Sequence, residues 1–182
     1  MQSNNNNLDR PLLIHEDQFF DERGKFIPSP LSGKWAQQNV SVSRRGTLRG
    51  MHFQKGEHAQ AKLVRVLSGS VMDIVADLRK ADKNPNNIPV YAYYLSSFNN
   101  THNSMSLFVP KGFAHGFLAL EDNTIFEYKV DAPYKPEAEG SIHWKSFGIF
   151  NEILIKHGLQ EYELIVSEKD GKAPPLDSYI NS

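Results

Sequence analysis

The chain has 182 residues, of which 40% are hydrophobic, and this is enough to bury one sizeable core. Its formal net charge of −1 argues against a nucleic-acid or membrane-surface role, and the absence of cysteine excludes disulfides and thiolate metal sites. No stretch approaches the roughly 20 apolar residues of a membrane span, and the amino terminus lacks the apolar run of a signal peptide. We therefore expect a single domain over residues 1–182, in a cytoplasmic protein with no nucleic-acid or membrane partner.

The first part of the chain predicts a tail followed by short strands and turns. Met1–Arg10 contains four consecutive Asn and is typical of a flexible tail, whereas Leu12–His15 fits a short strand. Asp21–Phe26 predicts a charged turn, in which Arg23 is either an ordinary surface charge or an anion contact. Trp35–Ser43 alternates like a strand and carries amide side chains suited to sugar hydroxyls.

The segment Arg49–Gly69 concentrates the side chains that could carry chemistry. Arg49 and His52 precede a strand that starts at Lys62, and alternation places Lys62 on the same face as Val64. A lone histidine among apolar neighbours is most often structural, and a surface lysine can lay its stem over apolar neighbours. Converging titratable groups at a barrel mouth instead indicate a binding or catalytic pocket, so both interpretations stay open at this point.

Beyond Gly69 the pattern predicts a series of strands. Val71–Leu78 has strict period two, which separates two faces: Met72, Ile74, Ala76 and Leu78 against Val71, Asp73, Val75 and Asp77. After the polar loop Arg79–Pro89, further strands are expected at Val90–Leu95, Met105–Val109, Phe117–Leu120 and Thr124–Val130. Many short strands with Gly, Asn, Asp and Pro between them indicate an all-β sandwich or barrel.

The carboxyl-terminal part is less decisive. Phe150–His157 fits either a short helix or an extended run. Ser167–Asp170 has the pattern Ser-x-x-Asp, which by itself indicates a helix cap or turn more often than a catalytic acid. Tyr128 fits a core position with a hydrogen-bonded hydroxyl as well as a pocket position where its phenol donates a proton.

Two segments together resemble the two halves of the cupin motif, found on a small double-stranded β barrel. The first is Arg49–Gly69, and the second is Val109–Phe117, which places His115 inside a Pro-x-Gly-x-x-His turn. In metal-binding cupins, six residues lie between a Glu and the Gly that follows it. Here the glycine is Gly69, and Lys62 occupies the position of the Glu. Because a protonated lysine has no lone pair for a metal, we expect no metal, and a pocket for an anion or for an oxygen that becomes one.

A more specific resemblance rests on four segments, which read NVSVSRRGTLRGMHFQ, HAQAKLVRVLSGSVMDIVADLR, FVPKGFAHGFLAL and IFEYKVDAPYKPEAEGSIHW. In this order they resemble the dTDP-4-dehydrorhamnose 3,5-epimerases, over about Asp21–Trp144 and again at VSEKDGKAPPLD. The resemblance implies a cupin-like jelly-roll barrel with short helical segments at the carboxyl terminus. It also implies a homodimeric, cofactor-independent isomerase of deoxysugar biosynthesis that acts on a nucleotide-linked 4-keto-6-deoxyhexose.

The resemblance assigns roles to individual residues. His52 corresponds to the catalytic base and Asp170 to the carboxylate that orients it. Lys62 and His115 correspond to residues around the keto sugar, where they would stabilise an enolate, and Tyr128 corresponds to the proton donor. Tyr134 corresponds to an aromatic residue that stacks on the thymine, and the remaining substrate contacts correspond to Arg23, Gln37, Asn39, Arg49 and Glu139.

Several positions depart from the family pattern. Pro28 stands where a Glu is usual, Val40 replaces a His, and Lys145–Ser146 replaces Asn-Asp; a later Trp-Pro is replaced around Phe150. These departures leave open which sugar nucleotide is bound and whether one or both carbons are inverted. The alternatives are a single-centre epimerase or 3,4-ketoisomerase on another sugar nucleotide, or a non-catalytic cupin that binds a sugar nucleotide. A metal-dependent cupin oxygenase is disfavoured by Lys62.

Overall fold

The computed structural model describes residues 10–22, 24–29, 34–81, 88–97 and 105–180. The predictions for Arg23, for nearly all of the Met1–Arg10 tail and for the middle of the Arg79–Pro89 loop lie outside the described residues. The strands are β1 (Leu12–His15), β2 (Phe19–Asp21), β3 (Gly24–Phe26), β4 (Gln37–Ser43), β5 (Thr47–Gln54), β6 (Lys62–Ser68), β7 (Ser70–Asp77), β8 (Val90–Ser96), β9 (Met105–Val109), β10 (Phe113–Ala119), β11 (Thr124–Val130), β12 (Glu139–Ser141) and β13 (Ile165–Val166). The helices are α1 (Ile149–Lys156), α2 (Glu168–Gly171) and α3 (Leu176–Ile180).

Two sheets built from these strands form the cupin-like jelly roll that the sequence predicts. One sheet has the order β1-β9-β6-β11-β4. The other has the order β12-β5-β10-β7-β8, and β13 pairs with β5 in parallel. The strands β2 and β3 form a separate two-stranded sheet. The all-β prediction is confirmed. Of the catalytic candidates, His52 lies in one large sheet and Lys62 and Tyr128 in the other, whereas Asp170 lies in α2.

Strand β7 shows how period two organises the core. Val71 and Val75 belong to the cluster between the two sheets, together with Phe126 of the opposite sheet. The alternate residues of β7, among them Ile74, belong to a second cluster that includes Phe150 of α1. Both faces of β7 are therefore buried, and the two faces predicted from alternation are confirmed.

The carboxyl-terminal segment covers the outer face of the second sheet. Phe150 and Ile153 are buried on the inner side of α1, whereas Ile155 on its other side is 82% exposed. The sequence leaves a helix and an extended run open for Phe150–His157. The structure has a helix at Ile149–Lys156, whose apolar side packs on the second sheet, and His157 is its C-cap. None of the helices in the described part of the chain is long and apolar enough to cross a membrane.

One strand boundary differs from the prediction. The strand expected at Phe117 begins at Phe113, so His115 lies within β10 and not inside a turn. The turn ends earlier because Gly112, with a φ of 84°, occupies the left-handed region that glycine tolerates. As a result His115 becomes the register partner of His52 on the neighbouring strand β5.

Candidate active site

A cavity of about 520 Å³ opens between the two sheets. Its walls come from β4, β5, β6, β10 and β11, and the carboxyl-terminal segment that carries β13 and α2 closes one side. Eight of the residues singled out from the sequence line it: Arg49, His52, Lys62, His115, Tyr128, Tyr134, Glu139 and Asp170. The fold therefore brings residues that are far apart in the sequence together in one pocket.

The imidazole of His52 is paired with the carboxylate of Asp170. His52 Nε2 lies 2.7 Å from Asp170 Oδ1, and Asp170 Oδ2 accepts a hydrogen bond of 3.1 Å from the Gly50 N–H. Burial raises the pKa of Asp170, but other influences outweigh burial and leave the pKa below its usual value. These are the hydrogen bond and charge of His52, the Gly50 N–H and the charge of Lys169. An ionised Asp170 accepts from His52 Nε2–H, which leaves the lone pair of a neutral imidazole on Nδ1.

The short helix α2 holds Asp170 in this position. Ser167 is its N-cap, and the Ser167 hydroxyl oxygen accepts a hydrogen bond of 3.1 Å from the Asp170 N–H. Immediately before it, Ile165 and Val166 pair with β5, the strand that carries His52. The Ser-x-x-Asp pattern is therefore a helix cap, as its composition indicates, and the capped residue is also the partner of His52.

A second imidazole–carboxylate pair lies deeper in the pocket. His115 Nε2 is 2.8 Å from Asp73 Oδ2, and both residues are buried. Burial raises the pKa of Asp73, while the charge and hydrogen bond of His115 and the charge of Lys62 oppose this shift. Within the described part of the chain, Asp73 Oδ1 is buried without a hydrogen-bond partner. The sequence motifs give Asp73 no role. Its alternation with Val71 and Val75 nevertheless indicates a carboxylate on the inward face of the strand.

Lys62 is the buried cation of the cavity. It is 9% exposed, and among the described residues its Nζ makes one hydrogen bond, a long one of 3.5 Å to the backbone carbonyl of His52. Burial lowers its pKa to about 8, against the charges of Asp73 and Glu139, which raise it. The ammonium therefore has donor capacity left for a ligand oxygen, and the prediction that Lys62 points into the barrel is confirmed.

Tyr128 faces the cavity from β11, in the sheet opposite to His52. No hydrogen bond to its hydroxyl occurs among the described residues. Burial raises the pKa of the Tyr128 phenol, with the charge of Arg49 as a smaller opposing influence, so the phenol remains protonated at neutral pH. Arg49 is exposed on β5, where its Nε donates a hydrogen bond of 3.3 Å to the Ser43 hydroxyl.

The rim of the cavity is a connected network of polar side chains. The Tyr134 hydroxyl donates a hydrogen bond of 2.8 Å to Glu139 Oε2, and the same carboxylate forms an ion pair with Lys169. Gln37 Oε1 accepts from the Tyr134 N–H at 3.2 Å, and Gln37 Nε2 donates to Asn39 Oδ1 at 2.8 Å. Gln37 and Asn39 do not belong to the cavity lining. Gln37 bonds to the Tyr134 backbone, and Asn39 bonds to Gln37.

Residues 6–178 match the family model described as dTDP-4-dehydrorhamnose 3,5-epimerase. The chain is 38% identical over 179 residues to the enzyme of that name from Methanothermobacter thermautotrophicus, an alignment that covers 93% of this chain and 91% of the relative. The chain belongs to the dTDP-4-dehydrorhamnose 3,5-epimerase family.

Solved structures of this family have the same fold. The dTDP-4-dehydrorhamnose 3,5-epimerase of Elizabethkingia anophelis matches with a TM-score of 0.75 and 36% identity, over 94% of this chain and 93% of that one. The dTDP-6-deoxy-D-glucose-3,5-epimerase of Legionella pneumophila, solved in complex with dTDP-4-keto-L-rhamnose, matches with a TM-score of 0.75 and 32% identity, over 95% of this chain and 93% of that one.

The departures from the epimerase family pattern lie outside the cavity lining. Val40 is on the outer face of β4 and is 57% exposed, and Pro28 does not reach the pocket. Lys145 pairs with Glu161, and the Ser146 hydroxyl accepts a hydrogen bond of 3.0 Å from the Leu176 N–H. Within the described residues, these substitutions therefore lie outside the pocket lining that contains His52, Lys62, Tyr128 and Asp170.

Proposed function

We propose that this protein is a dTDP-4-dehydrorhamnose 3,5-epimerase, which converts dTDP-4-dehydro-6-deoxy-D-glucose to dTDP-4-dehydro-L-rhamnose by inverting C3 and C5. The observation that carries the proposal is the His52–Asp170 pair on one wall of the cavity, opposite Tyr128 on the other. Family membership and the ligand of the Legionella relative support the choice of a dTDP-linked 4-keto sugar.

The 4-keto group makes the hydrogens on C3 and C5 acidic, so a positioned base can remove them. Neutral His52 takes the proton on Nδ1, while Asp170 fixes the tautomer and stabilises the imidazolium that forms. Positioned acid–base catalysis of this kind contributes roughly 10²–10⁴-fold to the rate. The reaction then needs only one base for both carbons, provided that the sugar ring turns within the pocket between the two abstractions.

Each proton abstraction moves negative charge onto the oxygen at C4. Lys62 is suited to receive this charge, because its buried ammonium has unused donors. His115 lines the same cavity, where its Nε2 lies 2.8 Å from Asp73 Oδ2, and we assign it a second contact to the keto oxygen. Preorganised donors at a developing oxyanion are each worth on the order of 10²–10³ in rate.

Inversion requires that the new proton arrive from the opposite face of the ring. We assign this role to Tyr128, and the assignment is supported by the position of β11 and β5 in different sheets that enclose the cavity. Its raised pKa keeps the phenol protonated at neutral pH, and its hydroxyl has no competing partner among the described residues. Removal by His52 on one side and return by Tyr128 on the other give inversion at each carbon.

Product stereochemistry tests this proposal. The protein is incubated with dTDP-4-dehydro-6-deoxy-D-glucose, the 4-keto group is reduced with borohydride, and the sugars are released and identified by NMR. We expect L-rhamnose and 6-deoxy-L-talose. Recovery of 6-deoxy-D-allose and 6-deoxy-D-gulose would indicate inversion at C3 alone, and a 3-keto product would indicate a ketoisomerase. Nucleotide binding without turnover would indicate a binding cupin, and any of these three results would contradict the proposal.

We further propose that the protein is a homodimer in the cytoplasm. Three phenylalanines of the β2–β3 hairpin, Phe19, Phe20 and Phe26, are 59%, 61% and 68% exposed. Strand β4 lies at a sheet edge and exposes Val40 and Val42, and an edge of this kind is usually covered. Sedimentation equilibrium should give twice the chain mass of 20.6 kDa. A single species at the chain mass would contradict the dimer.

A further inference from the structure

An ion pair at the rim ties the segment that holds Asp170 to the strand next to His52. Lys169, adjacent to Asp170 in α2, pairs with Glu139 Oε2. Glu139 belongs to β12, which pairs with β5, the strand of His52. The carboxylates of Asp170 and Glu139 therefore line the same pocket as His52, and Lys169 lies in that lining, next to Asp170 in the chain and paired with Glu139.

The charge of Glu139 matters for His52 because a general base must be neutral to accept a proton. Burial raises the pKa of Glu139, but its hydrogen bonds from Lys169 and Tyr134 and the charges of Lys169 and His52 leave it below its ordinary value. Glu139 is therefore an anion at neutral pH. Without a neighbouring cation, a second carboxylate beside His52 would favour the imidazolium over the neutral ring.

We propose that Lys169 is a positioning residue of the epimerase reaction, which neutralises Glu139 beside His52 and holds α2 against β12. Lys169 thereby keeps His52 available as a neutral base and keeps Asp170 aligned with it. This inference rests on the proposed function, since it concerns the base of that reaction. It adds a residue that the motif comparison leaves without a role, although it stands next to Asp170 in the sequence.

The surroundings of His52 explain why Lys169 is the residue to test. The titratable and charged groups that face His52 from the elements packed around it are Asp170 and Lys169 from α2, Glu139 from β12, His115 from β10 and Lys62 from β6. The Lys169 side chain is 57% exposed, whereas Lys62 and His115 are buried. The charge of Lys169 can thus be removed without leaving a cavity in the core.

The test compares the pH dependence of kcat/KM in the wild type and in Lys169→Met, Lys169→Arg, Glu139→Gln and the Lys169→Met/Glu139→Gln double variant. Loss of the lysine charge leaves Glu139 uncompensated, so protonated His52 is favoured and the acid limb of Lys169→Met moves to higher pH. We expect kcat/KM on that limb to fall about three- to tenfold, with little change above pH 8. Lys169→Arg should retain the wild-type profile.

The two charges should act in opposite directions. Glu139→Gln leaves Lys169 as an uncompensated cation, so its acid limb should move to lower pH. The double variant removes both charges and should return the limb close to that of the wild type. An NMR titration of the His52 ring in the substrate-free variants should show the same order of midpoints, independently of turnover.

Lys172→Met is the matched control, since Lys172 follows α2 and pairs with the exposed Glu168 away from the cavity. Its profile should match the wild type. The inference would be overturned if Lys169→Met left the acid limb unchanged or raised KM uniformly at every pH. Lys169 would then be a surface residue or a substrate contact. An inactive wild type would overturn the proposed function as well, whereas an active wild type with unshifted variants overturns this inference alone.

Discussion

Asp170 Oδ1 lies 2.7 Å from His52 Nε2, although the two residues are 118 positions apart in the chain. The contact forms because β13 pairs with β5 and the Ser167 cap starts α2 immediately afterwards. The orientation of the proposed base therefore depends on the carboxyl-terminal segment folding back onto the barrel.

Asp170→Asn should reduce kcat by about 10³–10⁴-fold, because an amide can hold the wrong tautomer of His52 and cannot stabilise the imidazolium. Steady-state kinetics with the dTDP-linked 4-keto sugar measures this loss, and KM should change little. Glu168→Gln is the control, since Glu168 is an exposed acid of the same helix and pairs with Lys172. An Asp170→Asn enzyme within tenfold of the wild type would show that His52 does not need its carboxylate.

Tyr128→Phe should separate proton removal from inversion. Without the phenol, His52 still abstracts the proton and can return a solvent deuteron to the same face, so hydrogen exchange continues while epimerised product falls by about 10²-fold or more. Exchange and stereochemistry are followed together in heavy water by NMR. Equal losses of exchange and inversion would argue that Tyr128 is needed before the proton-return step.

Lys62→Met should lower activity and raise stability. Loss of the cation at the enolate oxygen should reduce kcat by on the order of 10²–10³. The pKa of Lys62 is about 8 in the folded protein and 10.5 in an exposed lysine, so the buried ammonium destabilises the folded state at pH 7. This destabilisation disappears as the pH rises from about 8 towards 10.5. The variant should therefore be more stable at pH 7 by on the order of 3 kcal/mol.

Chemical denaturation at pH 7 and pH 10 measures the stability effect of Lys62→Met, and the advantage of the variant should shrink at the higher pH. The wild type should also lose kcat/KM above about pH 8, as Lys62 becomes neutral, and the residual activity of the variant should lack this limb. An alkaline limb that persists in Lys62→Met would assign the titration to another group.

Gly116→Ala should destabilise the wall that carries both histidines. A Cβ at this position would lie 2.7 Å from the Arg49 carbonyl oxygen and 2.8 Å from Met51 Sδ, so β10 and β5 would have to separate. We expect a loss of about 1–3 kcal/mol in the free energy of unfolding, together with reduced activity. Gly148→Ala is the control, because its Cβ meets no atom within 4 Å and its φ of −57° suits alanine. Equal stabilities would show that the two strands can move apart at little cost.

Local pattern was sufficient to predict the faces of β6 and β7. A period of two separates the inward Lys62 from its outward neighbours and the inward Val71 from the outward Met72, because one face of each strand meets the inter-sheet core. The Ser167 cap is likewise a local signal, since its hydroxyl accepts from a backbone N–H three residues later. These predictions depend on contacts within a few residues or on one buried face.

Features that depend on tertiary contacts could not be predicted in the same way. The His115–Asp73 pair requires the alignment of β10 with β7, in which the two residues are two register positions apart. The helical state of Phe150–His157 is decided by packing on the outer face of the second sheet, which no local propensity specifies. The resemblance to a known family supplied Asp170, whereas Asp73 and Lys169 emerged only from the arrangement of the folded chain.

The role of His52 as the base is tested most directly by hydrogen exchange at C3 and C5 of dTDP-4-dehydro-6-deoxy-D-glucose in heavy water, with the wild type compared with His52→Ala. We expect deuterium uptake at both carbons with the wild type and at neither carbon with the variant. The folded state of the variant is checked by its thermal unfolding and by binding of dTDP. Uptake at either carbon that persists in a folded His52→Ala protein would contradict the claim that His52 is the base.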